Sequence, residues 1–460
     1  MRFLLLLVPT LLAAQTYDIV LQRGRVMDPE SGLDAVRSVG INGKKVAAIS
    51  TAELHGKVEV NATGLVIAPG FIDLHQHSQT PEAYALKAMD GVTTALELEV
   101  GAYPVSTWYA AREGKSLIHF GASSGHIPAR MFVMHDTGDL LPRDGAVNRP
   151  ATVEERRAIE AAVEKGLDEG GLGMGMGLVY TPTAGSEEIL NLFYLAAGFP
   201  RRPVFVHIRD DKNIVGSLQE VMADALVSGV PLHIVHLNSV ATDKTAEALR
   251  MVDGARAHGL DVTAEAYPYT AGMTDIASAV YANWETQPAD FFAHLLWPPT
   301  GERLTRESFA RYRQQGGMVA QFRNTEEMVR LAISHPGVMI ATDGILEHPR
   351  SAGSYARLLG KYVREDKALT LMDAIRKSSL LPAQRLETMS TQMKQKGRIQ
   401  VGSDADISVF DAARVIDKST FENPKQYSEG FRYVLVEGTF VVRDGRLQTG
   451  VTPGQGIRAQ

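Results

Sequence analysis

Short apolar runs alternate with longer amphipathic stretches through the middle of the chain, over residues 65–390. Apolar runs bounded by turn residues predict buried strands, and the stretches between them, such as Val153–Glu169 and Asp243–His258, have helical periodicity. Eight strands are predicted: Val66–Leu74, Thr93–Glu99, Leu117–Ser123, Gly173–Val179, Pro203–Ile208, Leu232–Leu237, Asp261–Ala266 and Val338–Thr342. Eight strand–helix units predict an α/β protein with a TIM-type (β/α)₈ barrel. A doubly wound open sheet is the alternative, but no G-x-G-x-x-G sequence follows an early strand.

Both ends of the chain have a different pattern, with short strands and tight turns over residues 16–64 and 391–460. Asn42-Gly43 and Glu437-Gly438 are typical hairpin turns between apolar runs. We therefore predict a small composite β-sandwich assembled from both termini. Residues 274–335 form a long insertion after the seventh predicted strand and are expected to act as a lid or substrate wall.

Residues 1–15 have the pattern of a secretory signal peptide. Arg2 precedes an apolar run from Phe3 to Leu12, and the small residues Ala13 and Ala14 follow it. The run is shorter than the roughly 18 apolar residues of a membrane helix. Removal of this segment on export would leave a secreted or periplasmic protein that does not contact the membrane.

Composition excludes several function classes. The 47 Lys and Arg residues against 53 Asp and Glu residues give a net charge of −6, without the basic excess of nucleic-acid-binding proteins. The absence of cysteine excludes disulfides, thiolate metal ligands and a cysteine nucleophile. The expected partner is a small molecule, and no feature of the sequence specifies an oligomeric state.

Four histidines and one aspartate stand at the carboxyl ends of predicted barrel strands. His75 and His77 follow the first strand, whereas His207, His236 and Asp343 end the fifth, sixth and eighth. Residues two apart on a strand point the same way, and barrel enzymes build their active sites at this end. One such histidine is ordinarily a packed core residue, but their recurrence at one end predicts a metal centre.

The second predicted strand adds two acids, Glu97 and Glu99, on one face. A carboxylate that points into a barrel needs a cation or a proton, and one that bridges two metal ions would satisfy this need. Glu99 lies nearer the strand end and is the preferred ligand. Glu97 as the ligand, or a solvated loop that carries both acids, remains the alternative.

A ligand set of nitrogen and oxygen atoms favours zinc, with one or two ions per chain and another divalent metal as the alternative. Zinc lowers the pKa of a bound water to about 7. Asp343 is then placed to take the proton of that water and to deliver it to a leaving nitrogen. The predicted chemistry is metal-assisted hydrolysis with Asp343 as the catalytic residue.

Three further residues are predicted to bind substrate. Arg350 lies two residues after His348 in the segment that follows Asp343, and its guanidinium can hold a carboxylate through two hydrogen bonds. A surface or helix-capping arginine is the alternative. Tyr180 follows the fourth strand, where its hydroxyl can contact the substrate or an oxyanion.

With these residues in place, the chain resembles the amidohydrolase superfamily and, within it, the D-aminoacylase (N-acyl-D-amino-acid deacylase) group. The resemblance covers nearly all of residues 17–450. The motifs that carry it are Ala68-Pro69-Gly70-Phe71-Ile72-Asp73-Leu74-His75-Gln76-His77, His207-Ile208-Arg209-Asp210, Tyr267-Pro268-Tyr269-Thr270-Ala271-Gly272, Thr342-Asp343-Gly344 with His348-Pro349-Arg350, and Gly402-Ser403-Asp404-Ala405-Asp406.

The resemblance implies a metal-bearing barrel with a composite β-sandwich and hydrolysis of the N-acyl bond of a D-amino acid. It implies that His75, His77, His207 and His236 are metal ligands and that Asp343 is both ligand and general acid/base. It also implies that Arg350 and Tyr180 lie near the substrate carboxylate.

Some positions depart from the group. D-aminoacylases commonly have a cysteine ligand where this chain has Glu99, and many have a lysine after the histidine that corresponds to His236. The run Gly173–Gly177 lacks the lysine that relatives with a carbamylated lysine require. These departures keep two alternatives open within the superfamily, a dipeptidase and a cyclic amidase of the dihydroorotase or hydantoinase kind. A barrel that binds small molecules without catalysis is a third alternative, and the general base Asp343 argues against it.

Overall fold

The computed structural model describes residues 16–210 and 212–460, so the predicted signal peptide lies outside the described residues. Eight parallel strands, each next to its neighbours in chain order, form a nearly closed barrel. They are Phe71–Asp73, Val92–Ala102, His119–Gly125, Met174–Gly177, Val204–His207, Leu232–Ile234, Val262–Ala266 and Val338–Ile340, numbered here as barrel strands one to eight. The predicted (β/α)₈ fold is confirmed.

Amphipathic helices cover the barrel, and several begin at side-chain caps. Thr152 starts one of them: its hydroxyl accepts a hydrogen bond from the Glu155 N–H, and the Glu155 carboxylate accepts one from the Thr152 N–H. The α-helices are Pro81–Met89, Val105–Ala110, His126–Val133, Gly145–Asn148, Val153–Asp168, Ser186–Ala197, Ile214–Ser228, Leu237–Ala241, Thr245–Ala257, Ala289–Ala293, Arg306–Gln315, Glu326–Ser334, Arg350–Arg357, Leu371–Ile375 and Leu381–Leu386. Wider π-helical turns follow at Leu358–Glu365 and Arg376–Leu380. Among the described residues, no helix has both the length and the apolar character that crossing a membrane requires.

Strands from both ends of the chain form one nine-stranded sheet beside the barrel. They are Thr16–Asp28, Leu33–Asn42, Lys45–Ser50, His55–Asn61, Val66–Pro69, Ile407–Phe410, Phe431–Val436, Thr439–Arg443 and Arg446–Leu447. The long first strand pairs with His55–Asn61 along its first half and with Val66–Pro69 near its end. The hairpins predicted at Asn42-Gly43 and at Glu437-Gly438 are both present.

The first predicted barrel strand is in fact two strands, because the chain passes from the outer sheet into the barrel at Gly70. Val66–Pro69 belongs to the nine-stranded sheet and Phe71–Asp73 to the barrel. A Cβ atom on Gly70 would lie 2.2 Å from Oγ1 of Thr93 on the second barrel strand. Glycine therefore allows the close approach that joins the two sheets.

The segment after the seventh barrel strand forms a four-stranded antiparallel sheet of Ala271–Asp275, Met318–Phe322, Leu295–Trp297 and Glu302–Arg303. Its helices pack on that sheet through an apolar core of their own, which includes Phe292, Phe309 and the stacked pair Trp297 and Tyr312. This small layer lies at the mouth of the barrel, where its residues line the cavity described below.

Candidate metal centre

The predicted metal-binding side chains converge at one end of the barrel. His75 and His77 follow the first barrel strand, Glu99 lies within the second, and His207 ends the fifth. His236 and Asp343 follow the sixth and eighth strands; both have positive φ angles, 31° and 49°, although neither is glycine. Parallel strands point their carboxyl ends to the same face, and the strained turns after two of them direct side chains inward.

Two groups of side chains have ligand atoms within 4.8 Å of one another, and each is suited to a metal ion. The first group is His75, His77, Glu99 and Asp343, and the second is Glu99, His207 and His236. All six predicted ligands are therefore brought together, and the Glu99 carboxylate belongs to both groups.

The carboxylate of Glu99 has one oxygen facing each group. Its Oε2 lies 2.9 Å from Nε2 of His75 and 3.1 Å from Nε2 of His77. Its Oε1 lies 2.8 Å from Nδ1 of His207 and 3.6 Å from Nε2 of His236. A carboxylate in this position can bridge two metal ions, one between each pair of imidazoles.

The geometry favours Glu99 over Glu97 as the ligand. Glu97 belongs to neither group. Its Oε2 lies 2.9 Å from Nδ1 of His77, and its Oε1 accepts hydrogen bonds from the N–H groups of Val100 and Gly101. Glu97 therefore contacts Nδ1 of His77, whereas Nε2 of the same ring faces Glu99. Outer-shell carboxylates orient histidine ligands in this way in metal sites.

Glu265 has the same role for His75, and the sequence analysis missed it. Its Oε1 lies 2.6 Å from Nδ1 of His75, and its Oε2 lies 3.1 Å from Nε2 of His233. Glu265 is on the seventh barrel strand and is 1% exposed. An acid next to the last residue of the predicted strand Asp261–Ala266 was the available signal, since a buried carboxylate needs a partner.

We expect Glu265→Gln to weaken zinc binding by roughly ten- to a hundredfold, because outer-shell partners contribute about that much to metal affinity. Glutamine keeps the shape but loses the charge that orients His75. Competition with a chelator measures the affinity. Glu188→Gln is the matched control, since Glu188 is also buried and lies 2.9 Å from His126 outside both ligand groups. Equal losses in the two variants would contradict the role of Glu265.

The charges of the cluster shift the pKa values of its members. Burial alone would lower the pKa of His75, but the surrounding carboxylates, chiefly Glu265, outweigh it and raise that pKa to about 10. Burial would raise the pKa of Asp343, but the Arg350 guanidinium, followed by His75, lowers it below its usual range. Carboxylates that stabilise a protonated imidazole this strongly also attract a divalent cation, which would compete with the proton on His75.

Arg350 is at the start of its helix, fully buried and directly behind Asp343. Its Nη2 lies 2.8 Å from Oδ2 of Asp343, and its guanidinium lies 4.8 Å from the ring centre of Tyr267. Nε and Nη1 of Arg350 have no hydrogen-bond partner within the part of the chain that the structure describes. The alternative of a surface arginine is therefore wrong.

Tyr180 and His348 have different positions relative to the site. Tyr180 lines the cavity over the cluster, with its ring 5.0 Å from that of His207. His348 is fully buried, and both of its ring nitrogens are engaged: Nε2 donates to the Ala271 carbonyl and Nδ1 accepts from the Arg350 N–H. The sequence predicts that His348 contacts substrate, but both of its ring nitrogens are occupied, so His348 instead supports the segment that carries Arg350.

Solvent reaches the cluster through two adjoining cavities. The inner cavity, of about 60 Å³, is lined by His207, His236, Asp343 and Tyr180. The outer cavity, of about 460 Å³, shares Val179, Val280, Tyr281, Gln321 and Arg323 with the inner one. Four of these shared residues come from the insertion after the seventh strand, which therefore forms a wall of the entrance.

Comparison with known proteins supports the same chemistry. A profile described as the amidohydrolase family matches residues 207–442. An N-acyl-D-glutamate deacylase of Alcaligenes xylosoxydans xylosoxydans is 29% identical, over 92% of this chain and 93% of its own length. A D-aminoacylase of the same organism is 28% identical, over 92% of this chain and 94% of its own length.

Similar folds and more distant relatives extend this comparison. The crystal structure of N-acyl-D-glutamate deacylase from Bordetella bronchiseptica, complexed with zinc and a phosphonate mimic of the tetrahedral intermediate, has a TM-score of 0.83. It is 25% identical and covers 97% of this chain and 100% of its own. A dihydroorotase of Syntrophus aciditrophicus is 26% identical over 91% of this chain and 95% of its own length.

Proposed function

The chain belongs to the amidohydrolase family, and we propose that it removes the acyl group from N-acyl-D-amino acids by metal-dependent hydrolysis. The observation that carries this proposal is the Glu99 carboxylate between two pairs of imidazoles, with Asp343 beside one of them. The predicted resemblance to the D-aminoacylase group is confirmed by relatives that match over nearly the full length of both chains.

The residues present fit zinc. Four imidazoles and two carboxylates supply only nitrogen and oxygen donors, which zinc accepts. His75, His77 and Asp343 would hold one ion, His207 and His236 a second, with Glu99 between them. Zinc bound there would polarise the amide carbonyl and lower the pKa of the attacking water.

Asp343 is the general acid/base in this proposal. Its Oδ1 lies 3.2 Å from Nε2 of His77. The surrounding charges, chiefly Arg350, outweigh burial and lower its pKa, so the carboxylate is in the ionised form that can accept a proton. Asp343 takes the proton from the attacking water and delivers it to the leaving nitrogen. Arg350 holds the other carboxylate oxygen of Asp343, so the basic oxygen is directed toward the cluster.

Arg350 and Tyr180 are proposed to bind the substrate carboxylate. The buried Arg350 guanidinium has two nitrogens without partners among the described residues, and a planar guanidinium is suited to a carboxylate. Tyr180 lines the cavity on the side of His207. Burial, together with the charges of Glu99 and Asp343, raises the pKa of Tyr180 well above its usual value, so its hydroxyl remains a hydrogen-bond donor.

The proposal is tested by assaying the zinc-loaded protein with paired N-acetyl-D and N-acetyl-L amino acids that carry acidic, apolar and aromatic side chains. We expect hydrolysis of D substrates and little or none of the L enantiomers. Removal of zinc by a chelator should abolish activity, and added zinc should restore it. Turnover of the L series alone, or of none of these compounds, would overturn the proposal.

A cyclic amidase is the second candidate, favoured by the full-length similarity to a dihydroorotase. The fourth barrel strand, Met174–Gly177, carries no lysine, so the carboxylate of Glu99 is the bridging group that the described residues offer. Dihydroorotate and hydantoins belong in the same assay as D-amino-acid dipeptides. Faster turnover of a cyclic amide than of every N-acyl-D-amino acid would favour this candidate.

We also propose that the enzyme is exported, on the basis of the apolar run Phe3–Leu12 and the small residues that follow it. N-terminal sequencing of the protein from the periplasm or culture medium should find a mature chain that begins near Gln15. Recovery of the uncleaved chain from the cytoplasm alone would contradict export.

A further inference from the structure

The barrel has one seam, defined here as the boundary between its first strand, Phe71–Asp73, and its eighth strand, Val338–Ile340. These strands are the two ends of the sheet order, and within the described part of the chain they share no backbone ladder. Backbone contacts begin only beyond the strands, where Gly344 N–H donates to the His75 carbonyl. At the level of the strands, side chains must therefore join the two sides.

Asp73 joins them. Its Oδ1 accepts hydrogen bonds from the N–H of His75 at 3.2 Å and from the N–H of Thr342 at 3.0 Å. Its Oδ2 accepts the Thr342 hydroxyl at 2.6 Å. His75 begins the His-x-His pair, and Thr342 directly precedes Asp343. One carboxylate thus holds both segments that carry the first group of candidate ligands.

Lys87 provides the counter-charge for this carboxylate. It projects from the helix Pro81–Met89, and its Nζ lies 2.8 Å from Oδ2 of Asp73 and 2.6 Å from Oγ1 of Thr342. Lys87, Asp73 and Thr342 are all fully buried. A buried carboxylate that loses its cationic partner is strongly destabilised, so Asp73 depends on Lys87 to keep its other three contacts.

We propose that Lys87 and Asp73 are positioning residues, and that their buried ion pair sets the distance between the His75–His77 segment and Asp343 across the seam. Neither residue belongs to the groups that could hold a metal ion. Asp73 acts through the backbone N–H groups of His75 and Thr342, and Lys87 acts through Asp73 and the Thr342 hydroxyl. The predicted effect on turnover rests on the proposed function, whereas the predicted effects on zinc binding and on backbone protection do not.

Lys87→Met tests this inference, because methionine removes the charge at similar volume. We expect zinc affinity to fall about tenfold, as for other lost outer-shell contacts. We expect kcat for an N-acyl-D-amino acid to fall by roughly ten- to a hundredfold with little change in KM, since small displacements of reacting groups cost about that much. Hydrogen exchange should accelerate in peptides that cover residues 72–78 and 340–345 of the zinc-free protein.

Lys396→Met is the matched control. Lys396 is also buried, and its Nζ lies 2.6 Å from Oδ2 of Asp406 and 3.0 Å from Oδ2 of Asp404, away from the seam. This variant should lower the melting temperature without changing zinc affinity, kcat or exchange at the seam. If Lys87→Met behaved in the same way, Lys87 would be a stabilising residue only and the inference would be overturned.

Asp73→Asn provides the second test if Lys87→Met does not fold. Asparagine keeps the shape but removes the negative charge that pairs with Lys87. Lower zinc affinity and faster exchange at the seam are expected, whereas wild-type values for both would overturn the inference. If no amide proved to be a substrate, the proposed function would fail, and zinc affinity and exchange would still decide the role of Lys87.

Discussion

Replacement of Asp343 by asparagine is expected to lower turnover by at least about a hundredfold, because positioned acid–base groups contribute roughly that factor. Asparagine occupies the same space but cannot take a proton from water or return it to the leaving nitrogen. Five candidate ligands remain in place, so most of the bound zinc should be retained. The measurements are kcat at saturating N-acyl-D-amino acid and zinc content by atomic emission spectroscopy.

Asp290→Asn is a suitable control for the loss of one negative charge. The Asp290 side chain is 85% exposed on the helix Ala289–Ala293, and its removal should leave both kcat and zinc content unchanged. Turnover of Asp343→Asn at the wild-type rate would remove Asp343 from the mechanism. Loss of all zinc together with activity would show that Asp343 serves mainly as a ligand.

Replacement of Glu99 by alanine should have the largest effect on metal binding of any single substitution in the cluster. Its two carboxylate oxygens face different pairs of imidazoles, so its loss removes a donor from both metal positions. It also leaves four imidazoles without the negative charge that lies between them. We expect zinc affinity to fall by more than the roughly ten- to a hundredfold typical of an outer-shell residue.

Glu97→Ala is the natural comparison, since Glu97 lies two residues away on the same strand and is equally buried. Glu97 contacts Nδ1 of His77 rather than the shared centre. We therefore expect Glu97→Ala to lower zinc affinity by no more than roughly ten- to a hundredfold. Zinc titrations of the two variants against one chelator give the ranking directly. A greater loss for Glu97→Ala would move the bridging role from Glu99 to Glu97.

The positions of the ligands also depend on contacts at the seam, which neither Asp343→Asn nor Glu99→Ala tests. The Asp73 carboxylate holds the backbone of His75 and of Thr342, so the first group of ligands depends on an ion pair outside it. Asp343 also needs its positive φ of 49° to direct its side chain inward. The metal centre is therefore built as much by the backbone around the ligands as by the ligands themselves.

The sequence alone was sufficient to predict the barrel and most of the side chains that converge at the candidate metal centre. Strand periodicity is a local property of the sequence, and so is the occurrence of a histidine at a strand end, as at His75, His77, His207 and His236. Parallel strands bring their carboxyl ends to one face of a barrel regardless of how the side chains pack. The strand-end rule also located Asp343. These predictions needed only short-range patterns and one geometric rule.

Contacts between segments that are distant in the sequence decided which carboxylate is the ligand and which buried residues support the ligands. Glu97 and Glu99 share a strand face, so only the neighbouring strands could determine which carboxylate reaches the centre. Glu265 is 190 positions from His75, and Lys87 is 255 positions from Thr342. No local pattern contains such pairs, because the energy of a buried charge depends on which partner the tertiary fold places beside it.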